Sequence, residues 1–290
     1  MTPLKSYKTS LRYPGGKSRA VNKMFKYLPD MKSYSEYREG FLGGGSVAIA
    51  ITKLYPHLDI WVNDLYEPLY NFYMKIQSDG YKISDDLKEI KREHTDPEKA
   101  RELFNKAKTQ VTDKNLSKSD RAIAFYIANK CSFSGLTESG SFSKESSIRN
   151  FTLNGIENLR HLRDLSQNWK ITNLSYEIMF EHPHKQCFIY LDPPYDIKDN
   201  LYGKNGSMHK GFDHNLFAER CNDSEMDIMV SYNADNIVKE RFSDNWEPVE
   251  FDLTYTMRST GEYMAAQKGR KELLLLNYKP EQEGLEGFLE

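Results

Sequence analysis

The chain is short of cysteine, of long apolar runs and of any excess charge. Its 290 residues include only three cysteines, Cys131, Cys187 and Cys221, an odd number, far apart and without a C-x-x-C pair. This excludes a disulfide framework and a structural zinc finger. The histidines are scattered as well, His182-Pro183-His184 reads as an exposed connection, and no metal is expected. No apolar run approaches the ~20 residues that cross a bilayer, and 28% of residues are charged. No apolar stretch follows Met1-Thr2-Pro3-Leu4-Lys5, so a soluble cytoplasmic protein without a secretory signal or membrane partner is expected. Internal repeats and low-complexity tracts are lacking. A net charge of −2 supplies no global attraction for nucleic acid, but it hides an asymmetry. Lys5, Lys8, Arg12, Lys17, Arg19, Lys23, Lys26 and Lys32 make the first segment basic, while Glu281, Glu283, Glu286 and Glu290 make the tail, 280–290, acidic.

The most informative stretch is Cys187-Phe188-Ile189-Tyr190-Leu191-Asp192-Pro193-Pro194-Tyr195. Five apolar residues in a row suit a strand buried on both faces of a parallel sheet, and prolines, lacking N–H groups, stop the ladder where the strand emerges. Asp192 then stands at a strand's carboxyl end, where open α/β sheets place their ligand crevices. The Asp192 carboxylate and the Pro193 carbonyl form a stiff pair of acceptors beside the flat ring of Tyr195. Two acceptors and a wall suit an amine on a planar ring; a solvated turn with a packed tyrosine is the plain alternative.

Two glycine turns precede it. Leu11-Arg12-Tyr13-Pro14-Gly15-Gly16-Lys17-Ser18 fails the phosphate-loop pattern because its first glycine would fall on Leu11, leaving a lysine at a tight turn beside an aromatic ring. A helix is expected over 19–28. Glu39-Gly40-Phe41-Leu42-Gly43-Gly44-Gly45-Ser46 leads into an apolar helical run, 47–54, and a strand at 60–62 ends at Asn63-Asp64. Glycines let a backbone approach a ligand, and an acid ending the next strand is placed for a ribose diol. Gly43, Gly45 and Ala48 also satisfy G-x-G-x-x-A, so a nicotinamide dinucleotide is a rival for the adenosine-bearing ligand.

Between 70 and 165 the texture changes to polar, helix-compatible sequence with a break at Asp96-Pro97 and an apolar helix at 121–129. A glycine- and serine-rich hairpin or loop follows at 133–143. Strands resume at 171–174, 187–191, 227–232 and 272–278, with helices at 215–222 and 234–242 and ligand-ordered loops at 199–211 and 256–269. Alternation of strands and helices implies an α/β fold with a mainly parallel sheet.

Taken together, Arg12-Tyr13-Pro14-Gly15-Gly16-Lys17, the 40–46 turn, Asn63-Asp64, Asn129 through Leu136, Asp192-Pro193-Pro194-Tyr195, Ser231-Tyr232-Asn233 and Arg270-Lys271-Glu272-Leu273-Leu274 resemble the Dam-type (alpha class, D12) DNA adenine-N6 methyltransferases. The resemblance implies a Rossmann-like S-adenosylmethionine-dependent methyltransferase sheet with an inserted, mainly helical target-recognition lobe. It divides the chain into a discontinuous catalytic domain, 1–69 and 166–279, and a DNA-binding lobe, 70–165. S-adenosylmethionine would lie across Tyr13, Lys17, Phe41, Leu42, Gly43, Gly44, Gly45, Ser46 and Asp64, with Lys17 on the methionine carboxylate and Asp64 on the ribose. Asp192, Pro193, Pro194 and Tyr195 would grip a flipped-out adenine. Arg12, Lys130, Phe133, Ser134 and Glu138 would meet double-stranded DNA, with Arg149 and Arg160 as further phosphate contacts. A cognate restriction endonuclease is the implied partner. Two positions depart from the family pattern: Ser175 replaces an acid that contacts the cofactor's adenine, and Glu138 replaces the arginine that reads GATC sites, so GATC recognition is not implied. An RNA substrate, the dinucleotide-dependent oxidoreductase and a catalytically silent nucleic-acid-binding module stand as the alternatives.

Overall fold

The computed structural model describes residues 9–94, 96–195, 211–252 and 271–280. The expected loops at 199–211 and 256–269 and the acidic tail lie largely outside these residues. Among the described residues seven strands form one sheet: β1 (Glu36–Glu39), β2 (Asp59–Asn63), β3 (Trp169–Thr172), β4 (Cys187–Leu191), β5 (Asp227–Asn233), β6 (Glu247–Asp252) and β7 (Lys271–Leu276). Their order is β3-β2-β1-β4-β5-β7-β6. Neighbours from β3 through β5 are parallel, and β7 runs antiparallel between β5 and β6.

The apolar run at 187–191 folds as the sequence requires. Successive side chains of a strand alternate between faces. Phe188 and Tyr190 therefore enter one apolar cluster, and Cys187, Ile189 and Leu191 enter the cluster on the opposite face. All five are buried. The first cluster is covered by α1 (Val21–Met24), α2 (Ser46–Leu54), α3 (Glu67–Glu93) and α7 (Leu153–Leu165), the second by α8 (His214–Asn222) and α9 (Asn236–Glu240).

Two strands escape sequence reading. β1 is Glu36-Tyr37-Arg38-Glu39, polar on its face, yet Arg38 is only 2% exposed. Its Nη1 donates to the carbonyls of Met179 (2.8 Å) and Glu181 (2.5 Å) and its Nη2 to the Glu36 carboxylate (2.8 Å), while Nε has no partner among the described residues. Its plane lies over Trp61 at 5.0 Å. Fixed acceptors and an aromatic face make burial of the charge tolerable. β6 is an edge strand that carries Pro248, a residue edges accept.

Other boundaries shift. β3 starts at Trp169 and ends two residues earlier than expected, at Thr172, because Asn173 and Leu174 are drawn into the turn after β2. Asn173 Nδ2 donates to the carbonyls of Asp64 (2.8 Å) and Leu65 (3.0 Å). The single helix expected over 19–28 is a short α1 between two 3-10 turns, Lys17–Arg19 and Phe25–Tyr27. Pro29 forces Leu28 into extended backbone (ψ 148°), leaving too little chain for a helix to propagate.

Among the described residues, five α-helices lie between β2 and β3: α3, α4 (Pro97–Gln110), α5 (Lys118–Cys131), α6 (Lys144–Arg149) and α7. Their starts are written locally: Asp96, Ser117 and Thr152 each accept from amides of the first turn, and Pro97 occupies N1 of α4. Phe72, Phe125 and Tyr126 of these helices belong to the same cluster as Phe188 and Tyr190 of the sheet. The stretch expected as a hairpin or loop, 133–143, is a loop of two 3-10 turns, Phe133–Gly135 and Thr137–Ser139, closed by one antiparallel bridge between Ser132 and Phe142.

Candidate active site

The strand order reverses direction between β1 and β4, and these two strands deliver their next residues to one point. Glu39 is in register with Tyr190, and the Gly40 amide donates to the Tyr190 carbonyl at 3.2 Å. Glu39-Gly40 and Leu191-Asp192 thus emerge side by side at the carboxyl edge, the place where parallel sheets open a crevice.

The glycine stretch turns above it. Gly43 (φ +49°) and Gly45 (φ +70°) are left-handed, a region costly for other residues. A Cβ on Gly43 would stand 3.0 Å from the Tyr13 ring, and one on Gly45 would stand 2.6 Å from the Tyr73 hydroxyl. The turn brings the amino end of α2, with Ser46, to the cleft, where helix amides favour acceptors and that of Ala48 bonds the Glu39 carboxylate. Asp64 braces the arrangement from β2: its carboxylate accepts from the amides of Gly43 and Tyr66, each at 2.9 Å. Both oxygens retain a second lone pair for a ligand hydroxyl.

A cleft with about 140 Å³ open to the centres of water molecules joins these pieces, space for on the order of ten waters. Tyr13, Lys17, Phe41, Leu42, Gly43, Gly44, Ser46 and Asp64 of the expected cofactor set line it, together with Asp192 and Pro194. Gly45 shapes the turn from behind. One wall is aromatic: Phe41 stacks on Tyr176 at 5.4 Å, with Phe212 edge-on at 5.8 Å.

Besides Glu138, three carboxyls line this cleft, and burial raises the pKa of each of the three. Glu39, 2% exposed, is pushed up to about 8 by burial, against the Tyr37 hydroxyl bond and with help from Asp192 and Asp64. Asp64 is pushed up to about 6 by burial, against its two amide bonds. Asp192 rises to about 6, again by burial, with Lys17 pulling down and Glu272 pushing up. Such a cleft is short of positive charge. It suits a cationic ligand and disfavours the diphosphate of a dinucleotide, which weighs against the reading of G-x-G-x-x-A as an NAD site.

Lys17 is 3% exposed and sits on the acceptor residue itself, with Nζ 2.8 Å from each oxygen of Asp192 and 2.8 Å from the Tyr195 hydroxyl. The Tyr195 ring stacks on Tyr232 (5.8 Å) and its hydroxyl donates to Glu272, while Pro193 is buried; neither Pro193 nor Tyr195 is among the residues lining the cleft. Glu39, Tyr66 and Glu272 were assigned no role from sequence. Glu39 opened the glycine stretch and Glu272 stood in an apolar strand and in the resembling stretch 270–274, and nothing in their spacing showed that both would meet at Asp192.

The residues expected to meet DNA divide. Phe133 is exposed (55%), and Ser134 beside it is left-handed (φ 54°). Arg12 and Lys130 are turned inward. The Arg12 guanidinium donates to the Ser132 carbonyl (2.8 Å) and Ser146 (3.0 Å), while Asn129 clasps the Arg12 backbone at 2.9 and 2.7 Å. Lys130 is 8% exposed beside the Tyr126 ring, its pKa lowered by burial to about 8. Glu138 lines the cleft, with one oxygen bonded to the Tyr66 hydroxyl and Oε2 enclosed without a partner among the described residues. Ser175 lines the cleft too, its hydroxyl donating to Glu177. Arg160 pairs with Asp85 at 2.5 Å, and Arg149 with Glu145 at 2.8 Å. Among the described residues, Glu36, His184 and Cys187 have metal-ligand spacing, but at the far end of β1 and β4, where Arg38 already holds Glu36.

A mostly parallel α/β sheet whose reversal point carries a glycine turn, an acid after the second strand and an Asp-Pro-Pro-Tyr turn is the architecture of an S-adenosylmethionine-dependent methyltransferase. Residues 13–257 match the model of the D12 class N6 adenine-specific DNA methyltransferases. The chain belongs to that family, and it is an adenine-specific DNA methyltransferase. It is also 28% identical over 202 residues to the Type II methyltransferase M.MjaIII of Methanocaldococcus jannaschii, an alignment covering 65% of this chain and 69% of the relative. No helix among the described residues is long and apolar enough to cross a membrane.

Proposed function

We propose that the protein moves a methyl group from S-adenosylmethionine to the N6 amine of an adenine flipped out of double-stranded DNA. It does so as the modifying partner of a restriction endonuclease, in the cytoplasm, with residues 70–165 as the target-recognition lobe. The carrying observation is that three carboxyls of raised pKa and a glycine turn converge on one cleft next to Asp192. A ligand bearing a sulfonium, an ammonium and an adenosine fits that donor set: Asp64 for the ribose, the 41–46 turn and Glu39 around the amino-acid part, and the Phe41–Tyr176 wall for the purine. The pairing with an endonuclease draws on the likeness to a Type II methyltransferase.

When bound, the cofactor supplies a methyl group already activated on sulfur, so the protein's work is alignment and charge stabilisation. Asp192, ionised above pH about 6, and the Pro193 carbonyl accept from the adenine amine and stabilise the positive charge that grows on it. Lys17 supplies positive charge to the methionine carboxylate while its Nζ bonds Asp192 and the Tyr195 hydroxyl. Flipping exposes the amine at a cost on the order of a few kcal/mol, offset by the aromatic turn. Glu138 reaches a base only by leaving Tyr66, and as an acceptor it selects an amine edge such as that of cytosine or adenine.

Mixed genomic DNA incubated with methyl-labelled S-adenosylmethionine tests this reading, with modified bases mapped afterwards. Label at adenine N6 within one short sequence is expected. Label confined to RNA, or on another atom, refutes it.

A further inference from the structure

We propose that Glu272, on the antiparallel strand β7, is a positioning residue for methyl transfer that acts through Tyr195 and Lys17. The proposal rests on the reading of Asp192 and Tyr195 given above.

Glu272 is out of character with its strand. Leu273, Leu274, Leu275 and Leu276 are all buried apolar residues, and Glu272 is as buried as they are, at 2% exposure. The sheet needs no acid there: the ladder pairs of Glu272, Asn233 on β5 and Phe251 on β6, are made by backbone. A buried carboxylate is costly unless its oxygens are bonded, and one oxygen of Glu272 gathers three donors. Oε1 accepts from Ser231 Oγ at 2.9 Å and from the Tyr195 hydroxyl, and lies 3.2 Å from Lys17 Nζ. The same Lys17 nitrogen reaches both oxygens of Asp192 at 2.8 Å and the Tyr195 hydroxyl at 2.8 Å.

Two consequences follow from this sharing. Tyr195 is held at both ends, its ring on Tyr232 and its hydroxyl on Glu272, so β7 sets the angle at which the ring faces an incoming base. Lys17 is held between two carboxylates, so its charge is divided, and Asp192 keeps capacity to accept from an amine. With Glu272 neutral, Lys17 falls wholly to Asp192 and competes with the adenine for the same oxygens. Ser231 is the matching piece on β5. Its hydroxyl stands on the Glu272 side of the turn and locks the carboxylate in place.

Glu272→Gln keeps the shape and removes the charge. The titratable groups facing Asp192 are Lys17, Glu272, Tyr195, Tyr190 and Glu39. Lys17 draws its pKa down and Glu272 raises it, so losing the Glu272 charge moves the midpoint to lower pH. The experiment follows the Asp192 carboxyl by carbon-13 NMR titration, S-adenosylhomocysteine binding by calorimetry and single-turnover methylation in wild type, E272Q, Y195F and the double variant. In E272Q the Asp192 midpoint falls by about half a pH unit or more, cofactor-product affinity changes by less than about twofold, and turnover drops about tenfold or more. Y195F cuts the same hydrogen bond from its other end, so it loses a similar factor, and the double variant loses little beyond either single one. An Asp192 midpoint that does not move, or losses that multiply in the double variant, overturns the proposal. The NMR midpoint needs no substrate, so it decides the role of Glu272 even if the wild type methylates no DNA, an outcome that would count against the proposed function instead. Should E272Q fail to fold, undiminished turnover in Y195F overturns the proposal by itself.

Discussion

Replacing Lys17 with methionine probes the centre of the site with a shape nearly conserved and a charge removed. Lys17 is 3% exposed and compensates Asp192 at 2.8 Å and Glu272 at 3.2 Å, themselves 21% and 2% exposed. Breaking a buried ion pair by deleting one partner costs about 3–5 kcal/mol; the part belonging to Asp192 is discounted because that side chain still meets solvent. A loss of about 3 kcal/mol near pH 8 is therefore expected. The pH dependence is more diagnostic than the size. Asp192 already has a folded pKa of about 6 against an ordinary 3.8. The stabilisation tied to its protonated form is complete below pH 3.8 and is lost as pH rises through about 6. Without Lys17, which pulls that value down, the loss moves to higher pH. Lys17→Met should thus be much less destabilised at pH 5 than at pH 8, and the acid limb of its single-turnover methylation rate should move upward by about one pH unit, each unit corresponding to about 1.4 kcal/mol. Urea melts at both pH values and a pH–rate profile measure this. Equal destabilisation at pH 5 and pH 8 with an unmoved acid limb would show that Lys17 does not carry the compensating charge for Asp192.

Asp192→Ala should abolish methyl transfer while S-adenosylhomocysteine affinity stays within about threefold; loss of binding with an intact melting curve would move Asp192 from the acceptor role to the cofactor. Because Glu39, Asp64 and Asp192 have raised pKa values near 8, 6 and 6, a ligand carrying positive charge should expel protons and bind more tightly as pH rises from about 5 to 8. Calorimetry in buffers of differing ionisation enthalpy reads this directly, and an affinity flat across that range refutes it. Gly45→Ala places a methyl 2.6 Å from the Tyr73 hydroxyl at φ +70°, a strain of about 1–2 kcal/mol before the clash. Lower melting temperature and lost cofactor binding are expected, with Tyr73→Phe in the same chain restoring part of both.

The family and the outline of the fold were legible because they depend on local features. A five-residue apolar run ended by two prolines is a buried strand wherever it occurs, and glycines at 43 and 45 announce a turn only they can make. The polar strand β1 was not legible. Whether Arg38 can lie buried depends on carbonyls of Met179 and Glu181 that are about 140 positions away, contacts that no window of sequence contains. The same holds for β3, whose end was displaced because Asn173 bonds the Asp64 carbonyl and Leu174 bonds the Asn63 side chain.

What the chain by itself determined is which chemistry is present: an acceptor at the end of a strand, a glycine turn with an acid one strand away, and the order in which they come. What only the tertiary structure decided is who neighbours whom. Lys17, read from sequence as a cofactor contact, lies on Asp192; Glu138, read as a base contact, is turned into the cleft toward Tyr66; and Glu272, read only as part of a strand, closes the group around Tyr195. The reason is that charges act through distance and burial, not through sequence separation. Residues 17, 192 and 272 share one electrostatic environment because two strands, β4 and β7, and a glycine turn bring acceptors within reach of a single lysine nitrogen.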